Sequence, residues 1–238
     1  MQAWPDFSAR SDEPEWMDTQ AIPLADFAGC LADLEQVNRL LFAAHPTMAF
    51  LQRLTAGWPQ GTELRVADLG YGQGAMLRRI HLWAERRGLR PRLTGIDLNP
   101  QCRELAIANT PSAMRIDWHQ GDLFDWSPAE QPHAIISALF THHLTNGQVV
   151  RLLRWQEQTA SHGWFINDLH RHWLAWGSFR MLAWTMGWHR FVRHDGALSV
   201  RRAFVAEEWR VLLAQAGISD ARLRWHPMFR LCVGRLKA

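Results

Sequence analysis

Three glycines within five positions are the feature of the sequence that most directly indicates chemistry. They are Gly70, Gly72 and Gly74, in the segment DLGYGQG that begins at Asp68. Glycine lets the backbone turn tightly and approach a ligand that a Cβ atom would repel. An apolar run precedes the segment and a helical pattern follows it, so it predicts a nucleotide-type loop at the carboxyl end of the first strand, where open α/β sheets bind ligands.

Two classes of cofactor bind to such loops. Gly70, Gly72 and Ala75 satisfy the GxGxxA form of the dinucleotide fingerprint, which would make the protein a nicotinamide-dependent oxidoreductase. Asp68 favours the other class, because a carboxylate two positions before the first glycine would repel a pyrophosphate. It suits a ligand with a cationic ammonium group, such as the methionine part of S-adenosylmethionine.

Two further carboxylates follow at the ends of the next two predicted strands. Asp97 ends the second strand, where it can accept hydrogen bonds from both ribose hydroxyls. Asp122 follows the third strand and can accept from an adenine amino group, with Leu123 donating its backbone N–H. One such aspartate could be a solvated loop residue or a helix cap, but three at successive strand ends indicate one cofactor crevice.

The candidate catalytic residues follow strands four and five. His143 comes after strand four, and Asp168 and His170 come after strand five. Lys237 is the only lysine and Tyr71 the only tyrosine, so a general base for a hydroxyl acceptor must be a histidine or a carboxylate. An unperturbed imidazole titrates near pH ~6.5 and is largely neutral at pH ~7.

Other roles for these histidines stay open at this point. His143 could be a structural loop residue that touches the cofactor, and His170 could orient Asp168 or Arg171. His170 and His172 form a His-x-His pair that could ligate a metal. No matching cysteine or acidic cluster accompanies that pair at a recognisable spacing, so we expect no metal.

The block from Val66 to Leu144 resembles the class I S-adenosylmethionine-dependent methyltransferases, through the strings VADLGYGQG, TGIDLNP, QGDLFDW and IISALFTHHLT. The shorter strings EPEWMD, NDLHRH and SVRRAF resemble a bacterial subgroup that methylates small molecules, often polyketide or quinone-like phenols. The resemblance implies a Rossmann-like α/β sheet of seven strands with the last one antiparallel. It also implies S-adenosylmethionine as cofactor, bound by Asp68, Gly70, Gly72, Gly74, Asp97, Leu98, Asp122, Leu123 and Ala138.

The surrounding sequence predicts the elements that position these residues. Short apolar runs alternate with helical patterns from Leu64 to Asn167, which is typical of parallel βαβ units. Strand five is predicted over Trp164 to Asn167, and a terminal hairpin flanks Pro227.

The same pattern suggests how the chain is divided. Helical periodicity predicts an N-terminal helical cap within residues 1–60, followed by a methyltransferase domain over residues 61–238. A Trp-rich insert at about 172–200 contains a predicted helix from Trp173 to Val192. It either packs into the core or forms an apolar lid beside the substrate.

Composition excludes several other classes of protein. The net charge is +3, but the basic residues are scattered arginines and form no patch. Strand four is followed by no Asn/Asp-Pro-Pro-aromatic string and no cysteine stands where a cytosine-C5 nucleophile would, so we expect no nucleic-acid substrate. We also expect no signal peptide, no disulfide scaffold and no membrane span, hence a cytoplasmic protein. We expect a monomer or a homodimer.

We therefore predict an S-adenosylmethionine-dependent methyltransferase that acts on a small, aromatic or apolar molecule. The predicted reaction is O-methylation of a phenolic or related hydroxyl by a His-assisted in-line transfer. The alternatives are C- or N-methylation of a small molecule, a nicotinamide-dependent oxidoreductase, and a cofactor-binding scaffold without catalysis.

Overall fold

The apolar runs of the sequence form the strands of one seven-stranded sheet in the computed structural model, which describes residues 5–237. Residues 1–4 and Ala238, which the predicted cap and domain include, lie outside this described part. The strands are β1 (Glu63–Leu69), β2 (Arg90–Asp97), β3 (Ile116–Gln120), β4 (Ala134–Ala138), β5 (Gly163–Leu169), β6 (Arg222–His226) and β7 (Arg230–Leu236).

The order of the strands across the sheet is β3-β2-β1-β4-β5-β7-β6. All neighbouring pairs are parallel except those that involve β7, which runs antiparallel to both β5 and β6. This confirms the predicted sheet of seven strands with an antiparallel last strand. The chain order reverses direction between β1 and β4, and open α/β sheets bind ligands at the carboxyl ends of the strands beside such a switch point.

Helices cover both faces of the sheet and bury it between two apolar clusters. One cluster includes Phe50, Leu77 and Ile80, and the other includes Leu152 and Trp209. The helices are α1 (Trp16–Thr19), α2 (Leu24–Leu40), α3 (His45–Leu54), α4 (Ala75–Arg86), α5 (Pro100–Ala108), α6 (Asn146–Thr159), α7 (Trp173–Thr185), α8 (Arg190–Arg202) and α9 (Ala206–Ala216).

Two sequence boundaries were wrong, and each has a local cause. The predicted helix from Trp173 to Val192 is two helices, because Gly187 adopts a left-handed φ of 65° after α7, and the His189 ring nitrogen accepts from the Phe191 N–H to start α8. Strand five continues past its predicted end, since β7 pairs with it as far as Leu169. Asp168 therefore lies within β5 and does not follow it.

The Trp-rich insert is only partly a core element. Trp188 and Phe191 are buried, as core packing requires. In α7, however, Trp184 is 74% exposed and Met181 is 68% exposed. No helix of the described residues has the length and hydropathy that a bilayer crossing requires.

Arg171 connects the end of β5 to two other parts of the fold. Its buried guanidinium donates to the backbone oxygens of Phe7 at 3.0 Å and Ala203 at 2.8 Å. It also forms a two-pronged ion pair with Glu208 of α9, at 2.7 and 3.0 Å. A guanidinium in this position satisfies several acceptors at once, which a lysine could not do.

We expect Arg171→Ala to lower the free energy of unfolding by about 3 kcal/mol, because it leaves a carboxylate and two backbone oxygens without their charged donor. Arg210→Ala is the matched control, since Arg210 pairs with Glu207 on the exposed surface of the same helix. That control should lose less than about 1 kcal/mol. Urea unfolding followed by circular dichroism measures both, and equal losses would contradict the role given to Arg171.

Candidate active site

The three glycines of the loop after β1 all adopt left-handed φ angles, 70° at Gly70, 56° at Gly72 and 79° at Gly74. A Cβ atom on Gly70 would lie 2.7 Å from the Phe140 ring, and one on Gly74 would lie 2.3 Å from the Trp118 ring. A Cβ atom on Gly72 would meet no described heavy atom within 4 Å. Gly70 and Gly74 therefore allow close packing, whereas Gly72 borders the space that a ligand can enter.

Two carboxylates flank this loop. Asp68 is buried near the end of β1, where burial and the nearby charge of Asp97 raise its pKa to about 8. Asp97 ends β2, and its two oxygens accept hydrogen bonds from the N–H groups of Gly72 and Asn99, each at 3.0 Å. Burial raises the pKa of Asp97 as well. The crevice thus holds carboxylates that a cationic or hydroxyl-bearing ligand would stabilise.

The other predicted cofactor residues lie at the ends of β2, β3 and β4. Leu98 follows Asp97 and is 71% exposed. Asp122 is exposed, and its Oδ1 accepts from the Phe124 N–H at 2.9 Å, while Leu123 beside it is buried. Ala138 is the last residue of β4 and is half-buried. Their contacts with a cofactor stay predictions.

The turn after β4 carries the two adjacent histidines. Leu139 adopts a left-handed φ of 56°, which is rare for a residue with a side chain. A short 3₁₀ turn, Thr141–His143, follows at once. Strained backbone of this kind persists only where neighbouring groups hold it in place.

Asp168 is one of the groups that hold this turn. Its carboxylate accepts from the Thr141 hydroxyl at 2.6 Å, from the His142 backbone N–H at 3.0 Å and from the His142 ring at 2.8 Å. Burial by itself raises the pKa of Asp168, but the His142 ring and these hydrogen bonds outweigh it and lower the pKa below its ordinary value. The geometry favours a positioning role for Asp168, through His142.

His143 lies in an acidic environment built from the N-terminal segment. Its Nδ1 is 2.9 Å from an Asp18 oxygen, and its Nε2 is 3.9 Å from a Glu15 oxygen. Burial alone would lower the pKa of His143, but the two carboxylates raise it above its ordinary value. The buried His142 ring also approaches Glu15, with its Nε2 3.6 Å from a carboxylate oxygen.

Glu15 and Asp18 were missed as site residues in the sequence. Glu15 and Asp18 belong to the EPEWMD string, more than a hundred residues before the histidines, and nothing in the spacing joins them. Arg10 and Arg202 donate to the His142 backbone oxygen and hold the same turn from outside. The only signal in the sequence was that the EPEWMD string lies outside the block from Val66 to Leu144 that resembles the methyltransferases.

His170 lies in a different environment. It forms an isolated β-bridge with Phe204, and its backbone N–H donates to the Phe229 oxygen. Its ring lies 5.9 Å from that of His172, and its buried Nδ1 has no hydrogen-bond partner among residues 5–237. Burial and then the charge of His172 lower the pKa of His170. Within the described part of the chain, no hydrogen bond or ion pair joins His170 to Glu15 or His143, and its catalytic role stays a prediction.

Comparisons with known proteins indicate which family and fold the chain resembles. Residues 66–161 match a family model described as a methyltransferase domain. No curated protein matches the chain in sequence.

Solved structures resemble the chain in fold. The plantazolicin methyltransferase BpumL in complex with SAH is 17% identical with a TM-score of 0.64, over 90% of this chain and 77% of that one. The magnesium protoporphyrin IX methyltransferase ChlM from Synechocystis PCC 6803 with bound SAM is 11% identical with a TM-score of 0.54, over 82% and 79%. A structure described as a pericyclic reaction enzyme is 16% identical with a TM-score of 0.55, over 79% and 47%.

Residues 66–161 match the methyltransferase domain family over the loop and the three acidic strand ends, and the sheet has the order and direction of the class I methyltransferase fold. The resemblance to the class I S-adenosylmethionine-dependent enzymes is thereby confirmed. The identities are too low to carry a substrate from any of the solved structures to this chain.

The raised pKa of Asp68 gives a stability prediction for the protein without ligand. Between about pH 4 and pH 8 the unfolded chain releases a proton that folded Asp68 keeps, so stability falls as the pH rises through this window. Asp68→Asn removes that loss. At pH ~8 we expect the variant to be more stable than the wild type by at least about 1.4 kcal/mol, the equivalent of one pKa unit.

The difference should shrink as the pH approaches about 4, where Asp68 is protonated in both states. Asp125→Asn, a change at an exposed aspartate, is the control and should leave the pH dependence unaltered. Urea unfolding at several pH values measures all three proteins. Parallel curves for the wild type and Asp68→Asn would contradict the buried, protonated carboxyl.

Proposed function

We propose that this protein uses S-adenosylmethionine to methylate a small molecule at a hydroxyl group, most simply a phenolic oxygen. The observation that carries the proposal is the adjacency of two sites. The crevice formed by Asp68, Gly72 and Asp97 suits the cofactor. The cluster of Glu15 and His143, in which a carboxylate lies beside an imidazole, suits a hydroxyl that must lose its proton. The charge of His143 is among the influences on the pKa of Asp97, which supports this adjacency.

The residues of the crevice fit the parts of the cofactor. Asp68 would take the cationic amino end, which would also stabilise its ionised form. Each oxygen of Asp97 already accepts one backbone hydrogen bond, but a carboxylate has about four acceptor sites, so both oxygens can still receive a ribose hydroxyl. Leu98 and the Asp122–Leu123 segment would contact the adenine, with Gly70, Gly74 and Ala138 shaping the crevice between them.

When bound, S-adenosylmethionine supplies an electrophilic methyl group on a sulfonium. Transfer is an in-line displacement, so the chain contributes alignment and a place for the acceptor's proton. The proposed acceptor oxygen lies at the cluster of Glu15 and His143, beside the turn that Asp168 holds. His170 is a second candidate for the proton, because its lowered pKa keeps the imidazole neutral.

An aromatic or apolar acceptor is part of the proposal. Support comes from α7, whose Met181 and Trp184 side chains are exposed. This helix directly precedes α8, which contacts the cluster, so an apolar surface lies next to the proposed acceptor site in the chain. We propose that residues 172–200 shape the substrate entrance and that the N-terminal segment closes the site as a cap. A cytoplasmic monomer or homodimer and the absence of a nucleic-acid partner stay predictions from the sequence.

The direct test is transfer of a labelled methyl group from S-adenosylmethionine to a panel of phenols, with formation of S-adenosylhomocysteine measured in parallel. The pericyclic reaction enzyme shares the fold, so this test also separates methyl transfer from other chemistry. Thermal shifts address the nicotinamide alternative, because S-adenosylhomocysteine but not NAD should stabilise the protein. Turnover in the methyl-transfer assay would exclude a cofactor-binding scaffold without catalysis.

Asp97→Asn tests the ribose contact without changing the size of the side chain. We expect it to weaken the binding of S-adenosylhomocysteine by about 30-fold, or about 2 kcal/mol, because a charged acceptor is lost. Asp125→Asn is the control, because that aspartate is exposed and is not among the residues proposed to contact the cofactor. Calorimetric titration measures both, and unchanged affinity of Asp97→Asn would reject the assignment.

His143→Ala and His170→Ala compare the two candidate histidines. We expect His143→Ala to lower kcat by about 10²–10⁴-fold, since general acid–base assistance has that size, with little change in the affinity for S-adenosylhomocysteine. His170→Ala should retain most of the turnover. The reverse result would move the assignment to His170, and full turnover in both would remove histidine assistance.

A further inference from the structure

Three potential metal ligands meet beside the proposed acceptor position. Within the described residues, the ligand atoms of Glu15, His142 and His143 all lie within 4.8 Å of one another. The two imidazole Nε2 atoms are 3.6 and 3.9 Å from the Glu15 oxygens. These separations are too long for hydrogen bonds. They are close to the roughly 3.4 Å between two ligands that each lie about 2.1 Å from one tetrahedral ion.

The other ring nitrogen of each histidine is held by a carboxylate. The Nδ1 of His142 is 2.8 Å from Asp168, and the Nδ1 of His143 is 2.9 Å from Asp18. A proton on Nδ1 that is donated to a carboxylate leaves the Nε2 lone pair free to bind a cation. Histidines that ligate metals are oriented in this way in most metal sites.

The third ligand is fixed as well. Glu15 is 6% exposed, and its Oε1 accepts from the Ser199 hydroxyl at 2.8 Å. His142 is buried, but the His143 side chain is 29% exposed. The cluster is therefore enclosed on the side of Glu15 and His142 and accessible beside His143, as a catalytic metal site with an open position requires.

We propose that Glu15, His142 and His143 bind one divalent transition-metal ion of the zinc class. Two imidazoles and one carboxylate suit zinc or iron, whereas magnesium prefers oxygen ligands. Methyl transfer needs no electron transfer, so an ion without redox chemistry is sufficient.

The role of the ion rests on the proposed function. The acceptor hydroxyl would bind at the open position, where its pKa falls and its proton passes to solvent on the side of His143. With the ion bound, His143 would assist as a ligand of the ion and not as the proton acceptor. The oxygen then forms a bond to the methyl carbon while the carbon–sulfur bond breaks. The electron pair of that bond goes to sulfur, which leaves neutral S-adenosylhomocysteine and the methylated acceptor.

Metal binding can be measured without cofactor or substrate. The full chain is treated with a chelator, exchanged into metal-free buffer and titrated with Zn²⁺ by calorimetry and with Co²⁺ by visible absorption. We expect one saturable site per chain, with cobalt bands of a four- or five-coordinate ion. Absence of saturable binding by the wild type would overturn the proposal.

Three variants locate the site. Glu15→Gln keeps an acceptor for Ser199 but removes the charged ligand, and should weaken Zn²⁺ binding at least about tenfold. Asp18→Asn weakens the partner of His143 at a half-exposed position and should lower affinity about 10–100-fold. His172→Asn is the control: it retains an N-cap acceptor for α7 and removes half of the His-x-His pair.

The control should bind Zn²⁺ as the wild type does. If His172→Asn loses the ion while Glu15→Gln and Asp18→Asn keep it, the site is elsewhere and the proposal is wrong. Retained binding in all three variants also rejects it. The same samples are also titrated with S-adenosylhomocysteine. Because the proposed cofactor crevice does not include the metal ligands, retained binding shows that a variant is folded. It also tests the cofactor part of the proposed function independently of the metal.

Discussion

The geometry of the site depends on one buried carboxylate, that of Asp168. It lies inside β5, yet it accepts hydrogen bonds from residues in the turn after β4. The donors are the Thr141 hydroxyl and the backbone N–H and ring Nδ1 of His142. The two strands are neighbours in the sheet, so the contact fixes a loop of one strand against the backbone of the next. Without that anchor, the left-handed Leu139 would have little reason to keep its strained backbone.

A buried anion is expensive unless charge and hydrogen bonds compensate it. Asp168 is compensated within the protein, by His142 and, at longer range, by the buried Arg230, whose pKa is lowered by burial. Asp68 is not compensated in the same way, and its pKa is raised. Two aspartates near the carboxyl edge of one sheet therefore differ: the fold satisfies Asp168, whereas Asp68 is the residue proposed to take the cationic end of the cofactor.

The sequence was sufficient for the parts of the structure that depend on local pattern. The glycine loop, the acidic strand ends and the βαβ order could be predicted because each is encoded within about thirty residues by strand and helix periodicity. The end of β5 could not, since it is set by pairing with β7. The break between α7 and α8 depends on one glycine whose effect the apolar pattern conceals.

The cluster of Glu15, His142 and His143 could not be predicted from the sequence for a different reason. Glu15 and His142 are brought together by contacts that no periodicity records. Asp195 of α8 accepts from the N–H groups of Trp16 and Met17, each at 2.9 Å, and the His194 ring stacks on Trp16 at 3.6 Å. These contacts orient α1 so that Glu15 and Asp18 reach the histidines.

The Trp-rich insert, which the sequence predicts either to pack into the core or to form a lid, thus also holds α1 in place through its α8 half. Asp195 and Ser199 lie one helical turn apart on α8, so one face of the helix holds both the start of α1 and the side chain of Glu15. The acidic environment of His143 therefore exists only when the N-terminal segment is seated on α8. The proposed cofactor crevice is built on the ends of β1 to β4, so among the proposed parts of the site α1 contributes ligating or charged side chains only to the acceptor side.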